Sequence, residues 1–212
     1  MTLLLNRSDV QSLLSMPKAI DVLEAAFAEL DAGSAEMPDR TVIVDPSAGG
    51  WIAYMPAYLK SGGALGVKAV TVYKGNPTQF GLPTTVGTIL VQDKQTGVVV
   101  AVMDGGLLTG IRTGAASGVA TRHLARKDSR VAGVIGTGVM ARGQVMALVE
   151  AAELEKVLIY SRNDKSAQRS FADEFSEITG VDISLAESAE SLVRESDIVT
   201  LITSATEPIV NS

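Results

Sequence analysis

Residues 131–146, VAGVIGTGVMARGQVM, decide the fold. An apolar run from Val131 to Ile135 breaks at Gly136-Thr137-Gly138, then resumes at helical spacing through Val139, Met140, Val145, Met146 and Val149. That pattern reads as strand, tight turn and helix. Gly136 permits the turn, Gly138 lets the backbone approach a pyrophosphate, and Ala141 keeps helix and strand close, which gives the fingerprint GxGxxA. A diphosphate would rest on the unpaired N–H groups at the helix start, where the helix dipole favours an anion.

A glycine triplet alone also closes ligand-free strand–helix turns, so its surroundings carry the weight. Downstream, Lys156–Tyr160 reads as a strand, Lys165–Glu177 as a helix, Val181–Ser184 as a strand, Glu187–Glu195 as a helix and Asp197–Thr203 as a buried strand. Such alternation predicts a Rossmann-type, doubly wound parallel sheet. The end of the second strand reports on the ribose. Ser161, Arg162 and Asn163 stand there with no carboxylate for a 2′-hydroxyl, and Arg162 offers a charged fork for a 2′-phosphate. NADP(H) is therefore favoured, with NAD(H) as the alternative. The competing reading of this stretch is a solvated arginine, with Asn163 or Asp164 capping the next helix.

The chain has 212 residues, 46% of them apolar, enough for a large domain or two small ones with an ordinary core. A net charge of −6 without a basic run argues against a nucleic-acid partner. No cysteine is present, so disulfides and thiolate chemistry are excluded, and the single histidine, His123, cannot build a multi-histidine metal site. No metal is expected. There is no signal-like opening or membrane-length apolar run, so the expectation is a cytoplasmic protein with no membrane partner.

Before the fingerprint, Ser8 can cap a short helix to Leu14, and Ser15 with Pro17 restarts a longer one ended by Gly33. Strands are expected at 41–44, 51–56 and 62–73, with a hairpin of 84–92 and 97–103, then an alanine-rich helix over 112–126. This predicts an α+β lobe at 1–128, followed by an NAD(P)-binding lobe at 129–212. Asp104 reads as a turn residue satisfying backbone amides, and Met37 and Met55 as fillers of a pocket or an interface.

The ordered set MPDR (37–40), YMPAYL (54–59), GVKAVTVY (66–73), GLPTTVGTILV (81–91), VMDGGLLTGIRTGAASGVATRHLAR (102–126) and GTGVMA (136–141) resembles the ornithine cyclodeaminase/mu-crystallin family over essentially the whole chain. The resemblance implies a homodimer joined through the first lobe, and a substrate that is a small amino or imino acid. It implies that Arg40 holds the substrate carboxylate, that Lys68 is the catalytic proton-transfer group as well as a substrate contact, and that Arg112 meets substrate and cofactor phosphate. Thr84, Thr113 and Thr203 join Gly136, Gly138, Val139, Met140, Ser161 and Arg162 as cofactor contacts. The implied chemistry is hydride transfer at an amino-acid α-carbon, leaning toward net imine reduction. A noncatalytic NADPH-dependent binder of the crystallin kind, or an oligomer that kept the fold without the chemistry, are the rival readings. The family pattern continues beyond Pro208-Ile209, so the chain is expected to be a truncated form with an incomplete sheet, an exposed edge at its last strand, and little or no activity of its own.

Overall fold

The computed structural model describes residues 1–162 and 165–210. In chain order the elements are β1 (Leu3–Leu5), α1 (Arg7–Leu13), α2 (Met16–Asp31), β2 (Ala35–Glu36), β3 (Thr41–Asp45), β4 (Gly50–Leu59), β5 (Ala64–Tyr73), α3 (Asn76–Phe80), β6 (Thr85–Gln92), β7 (Val99–Asp104), α4 (Gly105–Leu124), β8 (Val131–Ile135), α5 (Val139–Ala151), β9 (Lys156–Tyr160), α6 (Lys165–Thr179), β10 (Asp182–Leu185), α7 (Ala189–Glu195) and β11 (Ile198–Leu201). They gather into two compact units. One comprises Met1–Ser15 with Glu24–Thr109, and the other Met16–Leu23 with the chain from Gly110 onward.

The first unit is a mostly antiparallel sheet in the order β1-β7-β6-β5-β4-β2, with β3 pairing β4 beside β2. Its spine is the ten-residue β4–β5 ladder, from Gly50↔Tyr73 to Leu59↔Ala64. β1 was not expected. Leu3–Leu5 is too short to show alternation, and it joins β7 in parallel through Leu3↔Ala101 and a Thr2 hydroxyl that donates to the Val99 carbonyl at 2.8 Å. The first helix is also capped differently from expectation. Asn6, not Ser8, is the N-cap, because its side chain accepts from the Ser8 and Asp9 amides while Asp9 reaches back to the Asn6 N–H. α4 begins seven residues earlier than the sequence suggested. Asp104 Oδ1 accepts the Leu107 amide at 2.8 Å and supplies a start signal that the following glycines mask.

The second unit holds the expected α/β layers. Its sheet runs β10-β9-β8-β11 with every pair parallel, which is the doubly wound order with β8 at its centre. These strands are buried apolar runs, as parallel strands covered by helices must be. Val134, Val145, Leu148, Val157 and Ile159 are fully buried between the sheet and α5/α6, where Phe171 and Phe175 stack at 4.7 Å. Leu192 of α7 fills the other face with Ile135 and Leu158. The approach to β8 is pinned by one carboxylate. Asp197 Oδ2 accepts the Arg130 and Val131 amides at 2.9 and 3.0 Å, and Oδ1 takes the Arg126 guanidinium at 2.5 Å. No helix among the described residues is long and apolar enough to cross a membrane.

Candidate functional site

In a doubly wound sheet the crevice opens at the carboxyl ends of the strands, where the chain switches direction. Here that point lies between β8 and β11. Directly after β8, Gly136 takes φ +115° and donates its N–H to the Tyr160 carbonyl at 2.8 Å. A Cβ at this position would stand 2.3 Å from the Ile202 carbonyl oxygen, so only glycine makes the turn.

Gly138 is glycine for a different reason. Its backbone is extended, at φ −75° and ψ −177°, a conformation open to any residue, and it is the N-cap of α5. No side chain caps the helix there, and a Cβ on Gly138 would meet nothing within 4 Å. The first bond at this helix start runs from the Ala141 amide to the Gly138 carbonyl at 2.9 Å, so the Val139 and Met140 amides precede it at the positive end of the dipole. A side chain at 138 would enter open space in front of these amides.

That space is a pocket of about 710 Å³, lined by the turn 136–140, the end of β9 at 160–162, Ala189, and the segment 202–209. The volume falls in the range of small-molecule sites. The structure brings Gly136, Gly138, Val139, Met140, Ser161, Arg162 and Thr203 together around it. Ser161 is buried, and its carbonyl accepts Gln168 Nε2 at 3.0 Å, which fixes the loop that presents the exposed Arg162. Thr203 Oγ1 accepts the Ala205 amide at 3.1 Å and shapes the turn leaving β11. The proposed caps Asn163 and Asp164 lie outside the described residues.

Sequence reasoning missed Tyr160, Ala189 and Ser204 through Glu207, which also line the pocket. The signal that could have found 204–207 is topological: a loop following the strand beside β8 must border the switch point. Lys165 adds a second cation nearby, its Nζ lying 5.6 Å from the Tyr160 ring centroid.

Thr84, Arg112 and Thr113 are not among the residues lining this pocket. Thr84 precedes β6, where its carbonyl accepts the Tyr73 amide at 2.8 Å. Arg112 is exposed on α4 and Thr113 beside it is half-buried. Lys68 and Arg40 belong to the first unit. Lys68 is half-buried on β5, paired with Met55 on one side and Ile89 on the other. The β3–β4 register ends at the pair Thr41↔Tyr54, and the exposed Arg40 immediately precedes it. Arg40 thus stands just before β3, and Lys68 lies on β5, with β4 between the two strands. His123 is an exposed helix residue remote in sequence from every pocket position.

The model of the ornithine cyclodeaminase/mu-crystallin family matches residues 1–212. The alanine dehydrogenase of Archaeoglobus fulgidus is 34% identical over 211 residues, covering 100% of this chain and 63% of that protein. Among solved structures, Delta(1)-pyrroline-2-carboxylate reductase of Thermococcus litoralis, in complex with NADH and L-proline, superposes with a TM-score of 0.92 at 46% identity, over 99% of this chain and 64% of that one. An archaeal alanine dehydrogenase dimer with bound NAD follows at 0.89 and 34%, over 99% and 62%. The chain therefore spans a little under two thirds of the length of these relatives.

Proposed function

Since the chain belongs to the ornithine cyclodeaminase/mu-crystallin family, we propose that it binds a nicotinamide dinucleotide at the β8–α5 turn and serves hydride transfer at the α-carbon of a small amino acid or its imine. The observation that carries this reading is the uncapped start of α5 facing an open pocket at the switch point. When bound, the nicotinamide supplies or accepts the hydride. Everything else falls to side chains of the protein.

The Arg40 guanidinium binds the substrate carboxylate through two parallel N–H donors and so fixes the orientation of the α-carbon. In the oxidative direction the Cα–H bond breaks with its electron pair leaving as hydride, the nitrogen loses a proton, and a C=N bond forms. Lys68 moves that proton, and returns it in the reductive direction. Arg112 and Thr113, at the head of the α4 segment of the second unit, complete the phosphate and substrate contacts, and Thr84 of the first unit serves as a further cofactor contact.

The 2′-position of the adenosine ribose falls to Ser161 and Arg162. A permanently charged fork there favours NADP(H) over NAD(H). The Thermococcus litoralis reductase is solved with NADH and the archaeal alanine dehydrogenase with NAD; for this chain Arg162 is the residue that supports NADP(H). The protein acts as a homodimer. On the side of the first sheet away from Lys68, Leu4, Ile43, Tyr54 and Val86 are 78, 55, 42 and 43% exposed, an apolar face that a second copy would cover.

The test is direct. Lys68→Ala should lower kcat for imine reduction by about 10²–10⁴-fold, the usual range for a lost general acid, while cofactor affinity stays unchanged. Turnover left unchanged by Lys68→Ala would overturn the reading in favour of a ligand-binding role.

A further inference from the structure

The pocket at the α5 turn is edged by hydroxyls and apolar side chains, and only two of the described residues that line it are charged: Arg162 at the end of β9 and Glu207 beyond β11. The proposed function uses Arg162 and leaves Glu207 idle. Glu207 is exposed and pairs with no cation among the described residues. A carboxylate is a costly lining for a site that grips phosphates. It only accepts hydrogen bonds, and it repels any phosphate brought beside it. On a dinucleotide its partners are therefore the N–H and O–H donors, which lie on the sugars, on the base and on the carboxamide of the nicotinamide.

The course of residues 202–209 decides among these donors. Ile202 leaves β11 beside the glycine turn: its N–H donates to the Ile135 carbonyl at 2.9 Å, and its own carbonyl oxygen stands 2.3 Å from where a Cβ on Gly136 would be. Thr203 Oγ1 then accepts the Ala205 amide at 3.1 Å and turns the chain. By Ile209 the chain packs against the cluster of Ile135, Leu158, Ala186, Ala189 and Leu192, on the α7 face of the sheet. The segment thus runs along the pocket from the glycine turn to the α7 face, and Glu207 stands two residues from its far end. The near end belongs to the diphosphate at the start of α5, and the ribose 2′-position falls to Ser161 and Arg162. What remains for the far end is the base, for which Ala189, Pro208 and Ile209 provide an apolar seat.

We infer that Glu207 reads the base of the dinucleotide: its carboxylate accepts an N–H of the exocyclic amino group of adenine. The inference rests on the reading that the α5 turn holds the diphosphate. Adenine presents N–H donors at its 6-position, whereas the deaminated base, hypoxanthine, turns an oxo oxygen to the same point. Against Glu207 that oxygen meets a carboxylate with no proton between them, so the exchange replaces a charge-assisted hydrogen bond by repulsion. Because Glu207 is exposed, the discrimination stays well below that of a buried pair.

The test is a binding measurement. NADPH and its hypoxanthine counterpart, which share every sugar and phosphate, are titrated into the protein by calorimetry. NADPH should bind at least about tenfold more tightly. Glu207→Gln, whose amide can accept from the amino group or donate to the oxo oxygen, should bring the two within about threefold of each other, with Tm unchanged. Equal affinities in the wild type overturn the inference, as does a preference for adenine that persists undiminished in Glu207→Gln. A third titration, with NADH, tests the competing partner. A Glu207 turned to the ribose would oppose the 2′-phosphate, so Glu207→Gln would then raise the NADPH-to-NADH affinity ratio by about tenfold and leave the preference for adenine as it was. That result overturns the inference; the expected ratio is the same in wild type and variant. Failure of the proposed function looks different. If neither NADPH nor NADH binds, the dinucleotide reading falls and the inference falls with it, whereas tight and equal binding of the adenine and hypoxanthine forms leaves that reading intact and removes only the role of Glu207.

Discussion

Replacing Gly138 by aspartate separates the two things a glycine-rich turn can do. The residue occupies extended backbone at φ −75°, ψ −177°, and a Cβ there meets no atom within 4 Å, so Gly138→Asp fits without strain. Aspartate is also among the best N-caps. Its carboxylate would accept the amides that open α5 and interact favourably with the helix dipole, contributing about 1 kcal/mol relative to an uncapped start. For a chain of 212 residues this corresponds to a rise in Tm of about 2–4 °C. Cofactor binding should move the opposite way. The new carboxylate takes the Met140 donor and sets a negative charge where the diphosphate would lie, so the diphosphate loses the Val139 and Met140 amides alike. Two charge-assisted hydrogen bonds at about 1.5–3 kcal/mol each amount to a loss of about 10²–10⁴-fold in affinity. Thermal melts followed by dye fluorescence give the first number, and titration of NADPH fluorescence gives the second. A protein that melts higher and still binds NADPH within about threefold of wild type would show that these amides do not hold the diphosphate. A protein that melts markedly lower would show that the space beside Gly138 is not open.

Other perturbations test other parts of the molecule. Arg162→Asp exchanges a fork for 2′-phosphate with an acceptor for a 2′-hydroxyl, so the NADPH-to-NADH affinity ratio should fall by at least about tenfold and cross unity; a ratio that does not move refutes the assignment. Arg40→Ala should raise KM for the amino acid by about 10²-fold, with a smaller change in the cofactor Kd, and an unaltered KM would remove Arg40 from the substrate site. The Asp197 carboxylate is held below its ordinary range first by the Arg130 and Val131 amides and then by the Arg126 guanidinium. A depressed carboxylate contributes stability above its unfolded value, and that contribution is lost as pH falls through the folded value. Asp197→Asn should therefore lower Tm at neutral pH, and the gap from wild type should close below about pH 4; a gap independent of pH would contradict this. Ile43→Asp places a charge in the exposed apolar face of the first sheet and should convert dimer to monomer in sedimentation, with the monomer's circular dichroism preserved.

The nucleotide half was the more legible because its signals are local. Buried parallel strands show as uninterrupted runs such as KVLIY, and Gly136 marks the turn that only glycine can make. Strand bounds there came within two residues of those found. Signals that depend on distant partners were lost. Leu3–Leu5 becomes a strand only because β7 lies beside it, and residues 105–111 become helix only because Asp104 binds the Leu107 amide. The packing of residues 16–23 and 110–124 with the second unit is tertiary and leaves no trace in the order of elements. The same division runs through the pocket. Its glycines follow from one motif and Arg162 from the end of the next strand, whereas Tyr160, Ala189 and 204–207 reach it from three separate places in the chain and share no pattern.

Burial explains why the first unit was harder to read. Most of the fully buried side chains, among them Ile135, Val145, Leu148, Ile159 and Leu192, belong to the second unit, whose helices cover both faces of its sheet. In the first unit Ala53, Val70 and Ala101 are buried, but Leu4, Ile43, Val44, Tyr54 and Val86 are exposed along the strands. Alternation in a strand is legible when one face meets water and the other a core. Here both faces are rich in apolar residues: one carries Ala53, Met55, Val70 and Ile89 around Lys68, the other Ile43, Tyr54 and Val86. A sheet apolar on two sides requires two coverings. That requirement makes second-copy association and substrate binding two consequences of one pattern, and it predicts that charges introduced on opposite faces of β4 will separate them. Tyr54→Asp should weaken the dimer before it alters turnover, and Met55→Glu, opposite Lys68, should alter turnover without dissociating the dimer. Loss of both properties from either substitution would show that the two faces are not independent.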